Sequence, residues 1–580
     1  MDSVRVFCSD TGEYHVCKTG ATLLELINSM NYTDKMCDDG IKRPILAAYV
    51  DNRLKSLDFK LYMAHSITFL TIADADGRRT YMRSLSFLLQ KAVKDIYGDK
   101  YQLALKYSLP NGLYGELYCN NGQSEDSPNG RLPEITNICD EDIASIKKRM
   151  HELVERDIPF IKTKDSNEDA VRLFMENGQR EKAGLAKGLG YFFITTYYLD
   201  GYGDTFYGPL LYSTGYLKEY DLVKYNCGFC LQFPEPFPPY SLPEKVIYQE
   251  NLYEIFKENS DWCAILGARD IGTVNYAIQQ GHATELIQIS EALHERKYAA
   301  IADRINARRG RVKLVLIAGP SSSGKTTTSK RIAVQLKVLG LNPVVIALDN
   351  YFLNREQTPK DSDGNYDFEN LRALDLDLLN RQLNQLFNGE QVELPKFDFA
   401  AGVRYYDGQT VKMEENDILI MEGIHALNPQ LTSEIDDEKK FKIYASALTS
   451  LAIDENNCIS TTDNRLLRRL VRDNNFRGTS AEETILRWNS VRKGEYRNIF
   501  PYQENADVMF NSFLIYELPL LKYYAEPLLR RISPASAAYS ESLRLIKFLS
   551  YIINLDPKEQ KGIPPNSVLR EFIGESTFTY

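Results

Sequence analysis

No apolar run in the chain approaches the roughly 20 residues needed to cross a bilayer, so no membrane-spanning helix is expected. The first residues, MDSVRVFCSD, carry neither the basic region nor the apolar stretch of a signal peptide. The nine cysteines follow no repeated spacing, which argues against a disulfide framework and for reduced thiols in a cytoplasm. Histidine is scarce: His15, His65, His151, His282, His294 and His425 never pair at a metal-ligand spacing. The single C-x-x-C, Cys227 and Cys230, has no second pair near it. Two ordinary thiols in a loop is one reading, and a metal or redox role the other. A surplus of positive charge is also missing. A formal net charge of -10 gives no electrostatic case for wholesale nucleic-acid binding and leaves only a local basic patch. Internal repeats and low-complexity tracts are absent as well.

What is present is an ordinary soluble composition, 43% hydrophobic and 26% charged. At 580 residues the chain is too long for one core, and about three to five domains are expected. In the first 78 residues VRVFC alternates, ATLLELINSM has helical spacing, and ILAAYV and ITFLTI are strand-like. That order suggests a small ubiquitin-like (β-grasp) sheet. From 79 to 232 an amphipathic helix, SLSFLLQKAVKDIY, is followed by strands and by a charged helix at 140–157. The proline-dense stretch FPEPFPPYSLPE opens a linker and helical segment, 233–308. Strand–loop–helix–strand order then marks a parallel α/β domain over 309–535, with a further helix and tail over 536–580. The fold class is therefore multidomain, mixing α+β with α/β.

GPSSSGKT, Gly319 to Thr326, matches G-x-x-x-x-G-K-[ST] in full and stands between a buried strand and a helix. Glycines there let backbone N–H groups turn inward on phosphates, and the helix start adds its positive end. Gly319, Ser321, Ser322, Ser323, Gly324, Lys325, Thr326 and Thr327 are the candidate nucleotide contacts. Lys325 would reach the β- and γ-phosphates of ATP, and the Thr326 hydroxyl would ligate Mg²⁺. A serine-rich helix cap is the bland alternative.

The following strands give the loop a direction. PVVIALD ends on Asp349, whose carboxylate would stand at the sheet edge to orient an acceptor hydroxyl and take its proton. ILIMEG ends on another acid, Glu422, placed to hold the metal. Capping or purely structural roles are the alternatives for both. The GTPase signature N-K-x-D is absent. NRLLRRLVRDNNFRG (464–478) carries five arginines; a solvated helix face is the plain reading, and a lid over transferring phosphate the functional one.

GPSSSGKTT, LDNYF, NYDFEN, LPKFDF, IMEGIHAL and TDNRLLRRLVRD, in that order, make residues 312–531 resemble the uridine kinase and phosphoribulokinase family. The resemblance implies a proton-accepting role for Asp349 and lid roles for Arg469, Arg472 and Arg477. It implies a ribose-holding role for Asp367, with Tyr366, Phe397 and Arg404 on the acceptor side. Two departures stand out. Where uridine kinases read the pyrimidine with Tyr and His, this chain has Phe397 and Gly402, and Thr479 replaces a further lid arginine. A site without hydrogen bonds to the right base cannot strongly reject a wrong one.

The first half is similar to the front of threonyl-tRNA synthetase. Residues 1 to about 75 resemble its TGS module; RSLSFLLQKAVKDIY, PNGLYGELY, KKRMHELVERD and FYGPLLY resemble its editing domain. That family's editing ligands fall here on Arg83, Phe87, Phe206 and Leu210. Arg offers no acceptor and Phe and Leu no donor atom, so aminoacyl-tRNA hydrolysis by that route is not expected. RNA binding, sensing of a small molecule, or service as a dimerisation scaffold stays open for this half. The expected function is an ATP- and Mg²⁺-dependent kinase for a hydroxyl on a ribonucleoside-like acceptor, with homo-oligomerisation allowed. The alternative is a nucleotide-switched, RNA-associated binding protein.

Overall fold

The computed structural model describes residues 3–110, 112–119, 135–360, 364, 366–398 and 401–579. Asn111, Asn365 and Phe399, members of motifs quoted above, lie outside the described residues. The alternating VRVFC segment is β1 (Ser3–Cys8), antiparallel to β2 (Glu13–Lys18), and α1 (Leu23–Ser29) starts from a Thr22–Glu25 capping box. β3 (Ala47–Val50), β4 (Arg53–Lys55) and β5 (Ser66–Leu70) complete a sheet of order β2-β1-β5-β3-β4, with β1 and β5 parallel. This is the β-grasp arrangement that the order of segments suggested.

A long helix, α2 (Ala75–Tyr97), leaves that sheet, and the expected boundary at 78 falls inside its first turn. Asp74 closes the corner by accepting from the Thr71 N–H at 2.7 Å. Next come β6 (Tyr101–Leu109), β7 (Gly112–Cys119), β8 (Ile135–Thr136), α3 (Asp140–Glu155), β9 (Ile161–Ser166), α4 (Asn167–Glu176) and α5 (Arg180–Leu189). β10 (Phe193–Leu199), β11 (Tyr202–Asp204), β12 (Asp221–Tyr225) and β13 (Gly228–Gln232) follow, giving one sheet around β7 and a smaller one, β9-β10-β11. Residues 233–244 were expected as an extended linker. They form no regular element, but they are packed down. Phe233 and Tyr240 are buried, Arg78 donates to the Pro234 carbonyl at 2.9 Å and Arg43 to that of Pro239 at 2.6 Å.

Helical periodicity resumes as α6 (Glu250–Ile265), α7 (Ile271–Gln279) and α8 (Ala283–Asn306). The sheet that follows is entirely parallel. It consists of β14 (Leu314–Ala318), β15 (Asn342–Ala347), β16 (Asp417–Glu422), β17 (Lys440–Ser446) and β18 (Val508–Asn511), in the order β15-β16-β14-β17-β18. The central strands are apolar throughout because helices cover both faces. Val315 and Ile317 meet Tyr298, Ile332 and Leu336 from α8 and α9 (Lys325–Val338). Leu314 and Leu316 meet Leu379 and Leu383 of α10 (Leu376–Phe387) on the other face.

That second core also takes in Tyr107, Tyr114, Cys230 and Phe256, so the parallel sheet and the N-terminal half share one apolar interior. Cys230 is thus a core thiol, and Cys227 sits at 3.3 Å from both the Tyr114 and Tyr253 hydroxyls. A third core joins Leu185 and α7 to the last helices: α11 (Thr461–Phe476), α12 (Ala481–Asn498), α13 (Glu517–Leu529), α14 (Tyr539–Leu549) and α15 (Arg570–Ile573).

Candidate active site

The phosphate loop begins where β14 ends. A Cβ on Gly319 would stand 1.9 Å from the Ala445 carbonyl oxygen of β17, so no larger residue fits. Gly324 turns the chain at φ +82°, a left-handed conformation that glycine adopts freely, and α9 starts on the next residue. The hydroxyls of Ser322 and Ser323 are buried without a hydrogen-bond partner among the described residues. Orphaned donors of this kind at a helix start suit an anion. Lys325 Nζ rests on the Pro320 carbonyl at 3.1 Å, the loop's own acceptor.

Parallel registration brings the two acids to this loop. Glu422 ends β16 level with Ile317 of β14 and Ala347 of β15. The Thr326 hydroxyl donates to Glu422 Oε1 at 3.0 Å. Burial pushes the Glu422 carboxyl up to about 7, against the pull of Lys325 and with a further push from Asp349. Asp349 lies in a short turn, Leu348–Tyr351, just beyond β15. Its side chain still meets solvent, but the surrounding protein raises its pKa, opposed by Lys325 and Arg477. Among the described residues its carboxylate accepts no side-chain hydrogen bond. A third carboxyl, Glu369, belongs to the same field. Burial, and then the charge of Glu495, raises it to about 7, while Arg469 and Lys325 oppose the shift. Nothing in periodicity singles Glu369 out; its place in NYDFEN was the available signal.

The five arginines divide by helix face. Arg465 and Arg468 are fully buried, so they are not lid groups. Arg465 pairs with Glu495 and donates to the Ser321 carbonyl at 3.1 Å. Arg468 pairs with Glu517 and donates to the Ser512 carbonyl at 2.8 Å. Arg469 reaches the Ser321 hydroxyl at 2.9 Å and Asp473 at 3.1 Å, and Arg472 shares Asp473 at 2.9 Å. Arg477 is looser, 3.8 Å from Asp473 and 58% exposed. Asp473 therefore gathers the three outer arginines beside the loop. Thr479 is tied through its N–H to the Asp473 carbonyl at 3.2 Å.

The acceptor-side residues form a separate group. Phe397 is buried against Phe352, ring centres 5.6 Å apart, and Phe352 meets Phe368 at 5.8 Å. Tyr366 is half-exposed beside Phe368. The Asp367 N–H donates to Pro359, and no hydrogen bond among the described residues joins its carboxylate to the Asp349 group. The Arg404 guanidinium is engaged by Asp375 at 2.8 Å, the cap of α10, a pairing that its position in the motif did not reveal.

The C-terminal segment completes the loop's surroundings. Glu571 of α15 accepts from the Thr327 hydroxyl at 2.6 Å, and a Cβ on Gly324 would meet Val568 at 2.4 Å. The Arg468 guanidinium lies over the Phe572 ring at 5.0 Å. In the N-terminal half, the positions that correspond to editing ligands are filled otherwise. The Phe87 and Phe206 rings pack at 5.0 Å, Leu210 is buried, and Arg83 donates to the Pro209 carbonyl at 3.1 Å. Among the described residues no cluster of three or more His, Cys, Asp or Glu could hold a metal ion.

Residues 314–516 match the model of the phosphoribulokinase / uridine kinase family. A curated uridine kinase of Staphylococcus haemolyticus is 32% identical over 197 residues, which are 34% of this chain and 86% of that protein. The chain belongs to the phosphoribulokinase/uridine kinase family. A uridine kinase of Ureaplasma urealyticum is 28% identical over the same share of each chain. The N-terminal part has a different relative: a threonine–tRNA ligase of Syntrophotalea carbinolica is 29% identical over 184 residues, 32% of this chain. That match spans only 27% of the ligase's length. The family span begins at β14 and takes in Gly319–Thr326, Asp349, Glu422 and the outer arginines. No helix among the described residues is long and apolar enough to cross a membrane.

Proposed function

We propose that the protein transfers the γ-phosphate of ATP to a hydroxyl of a small sugar-bearing acceptor, a ribonucleoside such as uridine being the first candidate. The Thr326–Glu422 bond beside an unencumbered Asp349 carries this reading, because it joins a phosphate grip to a base. The buried Ser322 and Ser323 hydroxyls and the Lys325 ammonium bind the phosphates. Thr326 and Glu422 offer the all-oxygen donors that suit Mg²⁺, which would screen the phosphate charge. Asp349 takes the proton of the acceptor hydroxyl as its oxygen bonds to the γ-phosphorus, and the bond to the β-phosphate oxygen breaks to release ADP. Arg469, Arg472 and Arg477 neutralise charge on the transferring group and exclude water. Asp367 would hold the sugar hydroxyls. Phe397 and Phe352, packed edge to face, supply an apolar wall for the rest of the acceptor, with Tyr366 and Arg404 at its edge.

Labelled ATP offered with a panel of nucleosides, pentoses and small alcohols tests the assignment. Product with a ribonucleoside supports it; transfer confined to other alcohols keeps the kinase and rejects the nucleoside, and no product with any acceptor sinks both. The aromatic wall, with no polar base reader at Phe397 or Gly402, predicts weak discrimination among bases, read as kcat/KM ratios.

The raised Glu422 carboxyl sets a pH dependence. It must lose its proton to ligate a cation, so Mg²⁺-dependent ATP binding should tighten from about pH 6 to about pH 8. Calorimetric titration in buffers of different ionisation enthalpy would register the proton released. The metal-free protein should move the other way. A carboxyl whose folded pKa exceeds its unfolded value contributes stability in full below that unfolded value, and the contribution fades as pH rises through about 7. A flat binding profile across this range would remove Glu422 from the metal set.

A further inference from the structure

A cavity of about 310 Å³ lies between the N-terminal half and the kinase-family half, bounded by α2, by β6 and β7, and by α11 and α12. Its walls are largely apolar, with Leu113, Phe206, Phe256, Leu448 and Trp488 among them. The charges at its edge are unbalanced. Arg79 is matched by Asp76 and Glu541, Arg465 by Glu495, and Asp463 by Arg544. Arg78, Arg83 and Arg492 line the same space and form no direct ion pair among the described residues; Glu235, Asp76 and Asp463 act on them only from further away. Arg78 donates only to the Pro234 carbonyl and stacks on Phe233 at 4.9 Å. Arg83 is held by the Pro209 carbonyl and the Thr80 hydroxyl, and Arg492 by the Tyr496 ring at 5.8 Å. Burial lowers both Arg78 and Arg83 to about 10, so each remains a cation at neutral pH. A half-buried cation with only distant counter-charges is costly, and a bound anion lowers that cost. A second orphan asks for a donor on the ligand: Asn456 is 7% exposed, borders the cavity, and leaves its side-chain oxygen without a hydrogen-bond partner among the described residues.

We propose that this cavity binds a small organic anion, a phosphate monoester or a carboxylate on an aromatic or apolar body, with its charged head on the neighbouring Arg78 and Arg492. The apolar walls take the body, and Asn456 accepts from a hydroxyl or amine on it. Such a ligand is sensed at the phosphate loop. Arg465 borders the cavity and donates to the Ser321 carbonyl at 3.1 Å, and Pro320 borders it while accepting from Lys325. The site is separate from the acceptor wall at Phe397 and serves an N-terminal half whose editing-type ligands have been replaced.

Trp488 lines the cavity and is one of only two tryptophans, so a Trp262→Phe background isolates its emission. Phenyl phosphate and benzoate are the anionic probes and phenol the neutral control. Saturable change with at least one anion, and none with phenol at equal concentration, is expected. The tighter anion identifies the head group. Arg492→Gln and Arg78→Gln should each weaken binding about tenfold or more, the usual size of a lost charge-assisted hydrogen bond, while Arg492→Lys keeps most of it. Lys325→Ala should leave binding in place, which separates this cavity from the phosphate loop. The proposal is overturned if phenol binds as tightly as the anions or if neither anion gives a saturable change. It is also overturned if binding survives both arginine replacements or disappears with Lys325→Ala. The comparison of anion with phenol is made on the intact cavity, so it decides the matter even if an arginine variant fails to fold.

Discussion

Replacing Asp349 with Asn should leave ATP affinity nearly unchanged while phosphoryl transfer falls roughly 10²- to 10⁴-fold, the range typical of a lost general base. The amide keeps the shape of the carboxylate and removes its proton affinity. No side chain among the described residues hydrogen-bonds to Asp349, so the fold loses no contact and the change isolates the chemistry. The raised pKa of this carboxyl strengthens it as a base once ionised, at the cost of a smaller ionised fraction at low pH. The wild-type transfer rate should therefore climb with pH through the titration of Asp349, and that limb should be missing from the residual rate of the variant. Single-turnover transfer from labelled ATP, paired with calorimetry of ATP binding, separates the two effects. Near wild-type turnover in the variant would remove Asp349 from the base role.

Arg468→Met is expected to be the most destabilising of the arginine substitutions, by about 3–5 kcal/mol, because it strands a carboxylate in the interior. Arg468 and Glu517 are both 0% exposed, and the guanidinium also holds the Ser512 carbonyl and hydroxyl. Replacing both partners, Arg468→Met with Glu517→Leu, should recover much of the loss, since a well-packed apolar pair avoids the desolvation cost. Arg477→Met is the contrast. Its side chain is 58% exposed and its link to Asp473 is long, so stability should change by under about 1 kcal/mol while transfer drops. Denaturant midpoints for the three proteins measure this. Equal midpoints for Arg468→Met and Arg477→Met would contradict the division of the helix into a buried and a phosphate-facing side.

The residues that proved readable in the sequence share a physical cause. A strand buried on both faces must be apolar along its length, so the residue that ends the run marks the sheet edge, and Glu422 is found that way; Asp349 follows the apolar run of the edge strand β15, two residues past its end. The phosphate loop is legible because its geometry admits few residues, as Gly319 against the Ala445 carbonyl illustrates. Contacts between distant segments leave no such trace. Glu495 and Glu517 are single acids on amphipathic helices, and only the packed structure joins them to Arg465 and Arg468, which a run of five arginines cannot sort into buried and outer members. The Arg404–Asp375 pairing and the apolar interior shared by the two halves were hidden for the same reason. In the N-terminal half the sequence disclosed the missing editing ligands, and the structure supplied the aromatic packing of Phe87 and Phe206 that stands in their place.

The contact between Glu571 and Thr327 also fixes an order of events during synthesis. A chain emerges from the ribosome N-terminus first, and these two residues are 244 positions apart. The phosphate loop is therefore translated long before the glutamate that caps the start of its helix, and also before Val568 and Phe572, which pack over Gly324 and Arg468. A nascent chain carries the loop with that side open until Val568, Glu571 and Phe572 have also left the ribosome.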